Sequence, residues 1–469
     1  MSVLALLLAA SSPVHAAPLG TYTVSSWDFA IDGGEARTVF FKIHYPAVGA
    51  HYGADADPSG GPFPVVGFMH GYLGSAWMYT DTADALASMG AVVVNLDIET
   101  GVSIDTSRMA LGMQALLWWV HDSGVDPDHW LYGMSDGGPW SVGAHSMGGV
   151  ALAELVGLEP RVQTVIGYMP YEPSGDQWLP YESFSGTALM LAGSEDETST
   201  PDMVALWHER LSVADRSVYI ELDGAGHQAV SNFEWGGETM SDADQQAHVI
   251  NLSADLLAST WAADDRLYQS LLCALPAPAV GHRSNSQRPV TIAEPTDDTM
   301  VAMSIAGRPD TEAVVFAGRG PDATETELGR IGLRDAVELG RLPLTEGIAC
   351  VDVELPATLA GLGWVQVAHV ADDGRVVLGE ILDVFGVGDP GPVDEPASDD
   401  DAEDTPGDTG RGDADSSGLD GASPSSEAAP ASAATPSSRD DKVASCSTAG
   451  GGASALLVGL MALANRRRR

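Results

Sequence analysis

The chain has 469 residues with 44% hydrophobic content, enough to bury a sizeable core and to form two or three regions. Its formal net charge is −44, and only two of the 22 basic residues are lysines, Lys42 and Lys442. A phosphate backbone is repelled by most of such a surface, which excludes nucleic acid as a partner. Three cysteines are too few for a disulfide scaffold; Cys446 falls in the tail, leaving Cys273 and Cys350 as the favoured pair.

Residues 1–17 read as a signal peptide. The run MSVLALLLAA is apolar though it lacks a basic start, and the small residues Ala16 and Ala17 suit signal peptidase. From 20 to 272 strand and helix signals alternate. TYTVSSWDFAI and RTVFFKIHYP flank Asp32, Gly33 and Gly34, a hairpin signal. PVVGFMH, AVVVNLD, WSVGAHS, QTVIGYM, TALMLAG and SVYIEL then read as buried strands, with helices over 77–89, 108–121, 150–158, 203–214 and 242–261. Runs this apolar, spaced by helices, predict a mostly parallel sheet covered on both faces. Residues 288–387 differ: AVVFAG, ACVDVEL, WVQVAHV and VVLGEIL are short strands between turns, a small β-sandwich-like module.

The segment 388–442 is acidic and rich in Pro, Gly and Ser, with almost nothing to pack; it reads as a disordered, self-repelling linker. Its DADSSGLDG stretch lacks the closing glutamate of a calcium loop, so no metal is expected there. Residues 446–469 carry a cysteine, an apolar run over 453–464 and four arginines. The run falls below the ~18 residues of a confident membrane-spanning helix. The layout resembles the C-terminal cell-surface sorting signals of myxobacteria, which implies export, a cell-surface or outer-envelope location and a sorting protease as partner. A plain C-terminal membrane anchor is the alternative.

The chemistry centres on GAHSMGG, where a buried strand meets a helix. A nucleophile elbow needs small residues two before and two after its serine, and Ser146 has Ala144 and Gly148 there. Acid and histidine should follow in that chain order. Asp196 stands in LAGSEDETSTP just after a strand, with Glu195 and Glu197 as chemical alternatives beside it; His227 stands in the glycine-rich DGAGHQAVSN after the next strand. Serine is a poor nucleophile at neutral pH, so His227 would take its proton and return it to the leaving group while the acid fixes the imidazole tautomer. Oxyanion donors are expected at the Met147 N–H, next after the serine, and at Tyr72 in HGYLGS.

MHGYLGSAWMY, AHSMGG, LAGSED and DGAGHQAVSN together resemble the secreted α/β-hydrolases of the cutinase-like polyester hydrolase and dienelactone hydrolase group, which includes lipases and platelet-activating-factor acetylhydrolases. The resemblance spans about 230 residues and implies an α/β-hydrolase fold and a serine carboxylesterase needing neither cofactor nor metal. It places the triad on Ser146, Asp196 and His227 and the oxyanion donors on Tyr72 and Met147. Family members active on polyesters carry a substrate-clamping tryptophan after the strand that follows the elbow. Here that region is GYMPYEPSGDQW, with Trp178 displaced and Pro170 and Tyr171 nearer; Trp178 is the substrate-binding candidate. The alternative from another class is a non-catalytic surface adhesin on a hydrolase scaffold, which would have no need for a complete triad.

Overall fold

The computed structural model describes residues 18–386, apart from 136, 234–236, 263–267, 269–270, 274, 276–278, 288–289, 362 and 371–374. The expected signal peptide (1–17), acidic linker (388–442) and sorting or anchor segment (446–469) lie outside the described residues.

The first elements in chain order are β1 (Val24–Asp32), β2 (Thr38–Pro46), β3 (Val65–Met69), α1 (Thr80–Ser88), β4 (Val92–Leu96), α2 (Thr106–Val125), β5 (Trp140–His145) and α3 (Met147–Leu158). There follow β6 (Val162–Tyr168), the short α4 (Leu179–Glu182), β7 (Thr187–Gly193), α5 (Pro201–Glu209), β8 (Arg216–Leu222), α6 (Asp242–Ala262) and β9 (Ala279–Ser284). They build one nine-stranded sheet in the order β1-β2-β4-β3-β5-β6-β7-β8-β9. The strands from β4 to β8 run parallel, while β1, β2 and β9 pair antiparallel at the edges.

Every residue of β3, β4 and β5 is buried, as a sheet covered on both faces requires. One face packs against α2, α3 and α5 through Met113, Leu116, Leu152 and Val204; the other packs against α1 and α6 through Leu86, Leu252 and Leu256. This is the α/β-hydrolase architecture, and the C-terminal ends of its central parallel strands present the loops that carry the chemistry.

Beyond β9 the chain is β-rich. The strands are β10 (Val290–Pro295), β11 (Met300–Ala306), β12 (Thr311–Gly318), β13 (Pro321–Thr326), β14 (Gly329–Leu333), β15 (Val337–Leu344), β16 (Ile348–Glu354), β17 (Trp364–Val370) and β18 (Val376–Asp383). A three-stranded sheet, β10-β11-β16, and a four-stranded sheet, β15-β12-β17-β18, share a core of Val301, Met303, Ile305, Val315, Val365 and Val367. The hairpin β13-β14 covers the outer face of the second sheet by packing Ile331 and Leu333 on Val314 and Phe316.

The β-rich part is not a separate bead. Val290, Ile292 and Ala306 join the cluster that holds Val218 and Leu257 of the hydrolase sheet, and Cys273 is disulfide-bonded to Cys350. The strand β9 extends the hydrolase sheet past residue 272, the boundary expected from the sequence. Its short AVGHRS run, half polar, carries little strand signal of its own. Among the described residues no helix is long and apolar enough to cross a membrane.

Candidate active site

Ser146 sits between β5 and α3 with φ 51° and ψ −121°, a backbone conformation that costs a non-glycine residue on the order of 1–3 kcal/mol. Surrounding packing holds it there. A Cβ on Gly148 would lie 2.5 Å from the Met69 carbonyl oxygen and 2.7 Å from that of His70, so only glycine lets α3 approach β3 this closely. The Ser146 N–H donates to the Tyr168 carbonyl, and the Ser146 carbonyl accepts from Gly149 and Tyr171. The turn is thus bonded on both sides, and its side chain projects at the helix N-terminus.

Three sequence-predicted residues meet there. His227 Nε2 lies 2.9 Å from Ser146 Oγ, and His227 Nδ1 lies 2.7 Å from Asp196 Oδ2. The Asp196 side chain is fully buried while the His227 ring is 17% exposed. Asp196 Oδ1 accepts from the N–H groups of Thr198 and Ser199, so the loop after β7 supplies the hydrogen bonds a buried carboxylate needs. Glu195 turns the other way: its carboxylate accepts from Thr239, and those bonds hold its pKa below the usual range. Glu197 is exposed. The loop after β8 is held by the Gly226 N–H donating to Gln245 of α6, and the Glu195 N–H donates to the Ala225 carbonyl across the two loops.

Tyr72 follows β3, two residues past the His70 at the strand's end. Its ring is exposed, with the hydroxyl donating to the Val102 carbonyl at 3.2 Å. Among the described residues its backbone N–H has no partner. The Met147 N–H, the first of α3, is a helix-start donor with no intrahelical acceptor. Gly71, in the same loop as Tyr72, packs on the serine turn: a Cβ there would fall 2.9 Å from Ser146 Cβ and 3.0 Å from His145 Nδ1.

Trp178 is placed differently from the other candidates. The turn Gly175–Trp178 folds its ring inward, where it is 4% exposed, 4.8 Å from the Trp207 ring and 4.6 Å below the Arg210 guanidinium. None of its described contacts is with Ser146, Asp196 or His227. It forms part of the wall of a cavity of about 470 Å³, together with Tyr171, Glu172, Ser174, Met203 and Arg210. Tyr171, whose N–H bonds the Ser146 carbonyl, is an exposed aromatic next to the turn.

The sequence reading passed over His145 and Tyr79. His145 lies beside Ser146 in β5, and its Nε2 is 2.7 Å from the His227 carbonyl oxygen; Tyr79 Oη is 2.8 Å from His145 Nδ1. A histidine immediately before the serine was the available signal. Among the described residues no group of three or more His, Cys, Asp or Glu is spaced to hold a metal ion.

A strained serine at a strand-to-helix turn, bonded to a histidine that is bonded to a buried aspartate, on this sheet order, defines a serine hydrolase of the α/β-hydrolase class. The chain belongs to the PET hydrolase-like family, whose model matches residues 20–289. Two curated relatives, Cutinase 2 of Thermobifida cellulosilytica and Cutinase cut1 of Thermobifida fusca, are each 25% identical over 205 residues, 43% of this chain. The match covers 68% of the first and 56% of the second, so the chain spans little more than half the length of the latter. The class is that of the serine ester hydrolases.

Proposed function

We propose that this chain hydrolyses carboxylic esters through an acyl-enzyme on Ser146. The observation that carries the reading is the continuous pair of short contacts from Ser146 Oγ to His227 Nε2 and from His227 Nδ1 to the buried Asp196 carboxylate. In this reading His227 Nε2 takes the Ser146 proton as Oγ attacks the ester carbonyl. Asp196 keeps the proton on Nδ1 and stabilises the imidazolium that forms. The N–H groups of Met147 and Tyr72 receive the oxyanion, with the α3 N-terminus adding its dipole. The Ser146 proton then passes from Nε2 to the departing alkoxide. In the second half-reaction water attacks the acyl carbonyl, loses its proton to Nε2, and the acid leaves with Oγ reprotonated.

The substrate proposed is a carboxylic ester, soluble or polymeric, one part of which rests on exposed Tyr171 and the adjoining cavity wall that includes Trp178. The relatives' name, cutinase, supports polymeric esters as substrates. We also propose that the chain works outside the cytoplasm: the apolar leader, the tail with Cys446 and four arginines, and an oxidised Cys273–Cys350 pair all suit an exported protein held at the envelope.

The test is turnover of p-nitrophenyl esters from acetate to palmitate, and of a polyester film, by wild type and Ser146→Ala. Loss of a triad nucleophile lowers kcat by ~10⁴-fold or more in comparable enzymes. Near-native turnover by Ser146→Ala would overturn the reading.

A further inference from the structure

Behind the three residues of the proposed mechanism runs a buried polar chain that the mechanism does not use. The Gly71 N–H lies 3.1 Å from Tyr79 Oη, Tyr79 Oη lies 2.8 Å from His145 Nδ1, and His145 Nε2 lies 2.7 Å from the His227 carbonyl oxygen. Tyr79 and His145 are 1% and 2% exposed.

Donor and acceptor chemistry fixes the direction of every bond. A carbonyl oxygen only accepts, so His145 Nε2 carries the proton. In the neutral ring Nδ1 then accepts, and the Tyr79 hydroxyl must donate to it. The hydroxyl lone pairs remain for the Gly71 N–H, which only donates. Burial, and next the neighbouring His227, push the His145 pKa well below the ordinary histidine value, and burial raises that of Tyr79, so both stay neutral. The chain has one arrangement and leaves none of these atoms unpaired.

Its ends are what give it meaning. Gly71 precedes Tyr72, the proposed oxyanion donor; His145 precedes Ser146; and the last acceptor is the backbone of His227 itself. The bond to His227 goes to its carbonyl and not to its ring, whose two nitrogens stay engaged with Ser146 and Asp196. The His145 and His227 rings lie 4.8 Å apart. Gly71, whose peptide leads into Tyr72, is pressed so closely on Ser146 and His145 that even a Cβ would fall 2.9 Å from Ser146 Cβ and 3.0 Å from His145 Nδ1.

We propose that Tyr79 and His145 are positioning residues that hold the oxyanion loop and the histidine loop in register with the Ser146 turn. The proposal rests on the acyl-enzyme reading above. The three loops come from the ends of β3, β5 and β8; the histidine loop also meets the segment after β3 where the Asn232 N–H donates to the Met78 carbonyl, while the Tyr79–His145 chain takes in the Ser146 turn as well. A misplacement of about 1 Å in such a site can cost up to ~100-fold in rate.

Tyr79→Phe keeps the ring and removes the hydroxyl; His145→Phe keeps a planar ring, somewhat larger than the imidazole, and removes both polar nitrogens. Each is expected to lower kcat by roughly 10- to 100-fold with KM changed little, because the loops serve the transition state more than ground-state binding. The double variant should be no slower than the slower single variant, since either change breaks the same chain. His145→Gln, which keeps one donor and one acceptor, should recover most of the loss. Active-site titration with a fluorophosphonate counts competent folded enzyme, so poor folding is not read as low kcat.

Additive losses in the double variant, a rise in KM that accounts for the loss, or unchanged kcat in both single variants would overturn the proposal. Failure of the fluorophosphonate to label wild type at Ser146 would instead remove the acyl-enzyme reading on which it rests. Normal labelling of wild type with equally fast labelling of Tyr79→Phe would remove the network alone.

Discussion

Glu195 and Asp196 are neighbours in the chain, yet their carboxylates serve opposite sides of one loop: Asp196 Oδ2 meets His227 at 2.7 Å, and Glu195 caps Thr239. Asp196 is buried and Glu195 is exposed. The two acids therefore differ in what their removal does. Asp196→Asn should lower kcat by about 10⁴-fold, because an amide can present its NH₂ to Nδ1 and favour the wrong imidazole tautomer. Glu195→Gln keeps the loop geometry with one weakened bond and should stay within a few-fold of wild type. Kinetics of the two variants on one soluble ester decide the matter; equal losses would remove Asp196 from its role.

Much of this was legible in the sequence, and the exceptions have physical reasons. The central strands are fully buried, so their apolar runs announced them; WVQVAHV marked β17 for the same reason. The strands β13 (PDATET) and β15 (VELGRLPL) lie half-exposed, hold Pro, Gly or acids, and gain their strand state only by pairing with neighbours. The meeting of Ser146, Asp196 and His227 could be anticipated because the hydrolase order ties each to a strand end. Whether a tryptophan faces a cleft or the wall behind it depends on tertiary packing, and the Trp207 and Arg210 that hold Trp178 come from or just after α5. The Tyr79–His145 bond joins residues 66 positions apart and leaves no local pattern.

The disulfide joins the segment after α6 to β16 across 77 residues, bridging the hydrolase sheet and the β-rich part. Closing a loop of that length restricts the unfolded chain by about 4.5 kcal/mol in the chain-entropy picture. Cys350→Ser should lower stability by roughly 2–5 kcal/mol, read as a lower denaturant midpoint. Reductant should shift the midpoint of wild type towards that of Cys350→Ser and leave the variant unmoved. A wild-type midpoint indifferent to reductant would show that the bond contributes nothing to stability.

Acid should weaken the fold through buried neutral histidines, and His369 of β17 is the cleanest case. It is 7% exposed, its ring nitrogens have no hydrogen-bond partner among the described residues, and burial lowers its pKa to about 4. In the unfolded chain the same ring titrates near its ordinary value of 6.5. As pH falls below 6.5 the unfolded state binds a proton that the folded state refuses, so stability drops until about pH 4, where the folded ring also protonates. Above 6.5 neither state is charged and this contribution is complete. For His369 alone the loss between pH 8 and pH 5 is about 2 kcal/mol. His282, lowered to about 4, and His208, lowered to about 3, both chiefly by burial, add slopes of the same sign. Denaturant midpoints measured at pH 8 and pH 5 test this: His369→Leu should narrow the difference between them by the share of that one ring. An unchanged difference would mean that His369 reaches solvent or a partner before it titrates.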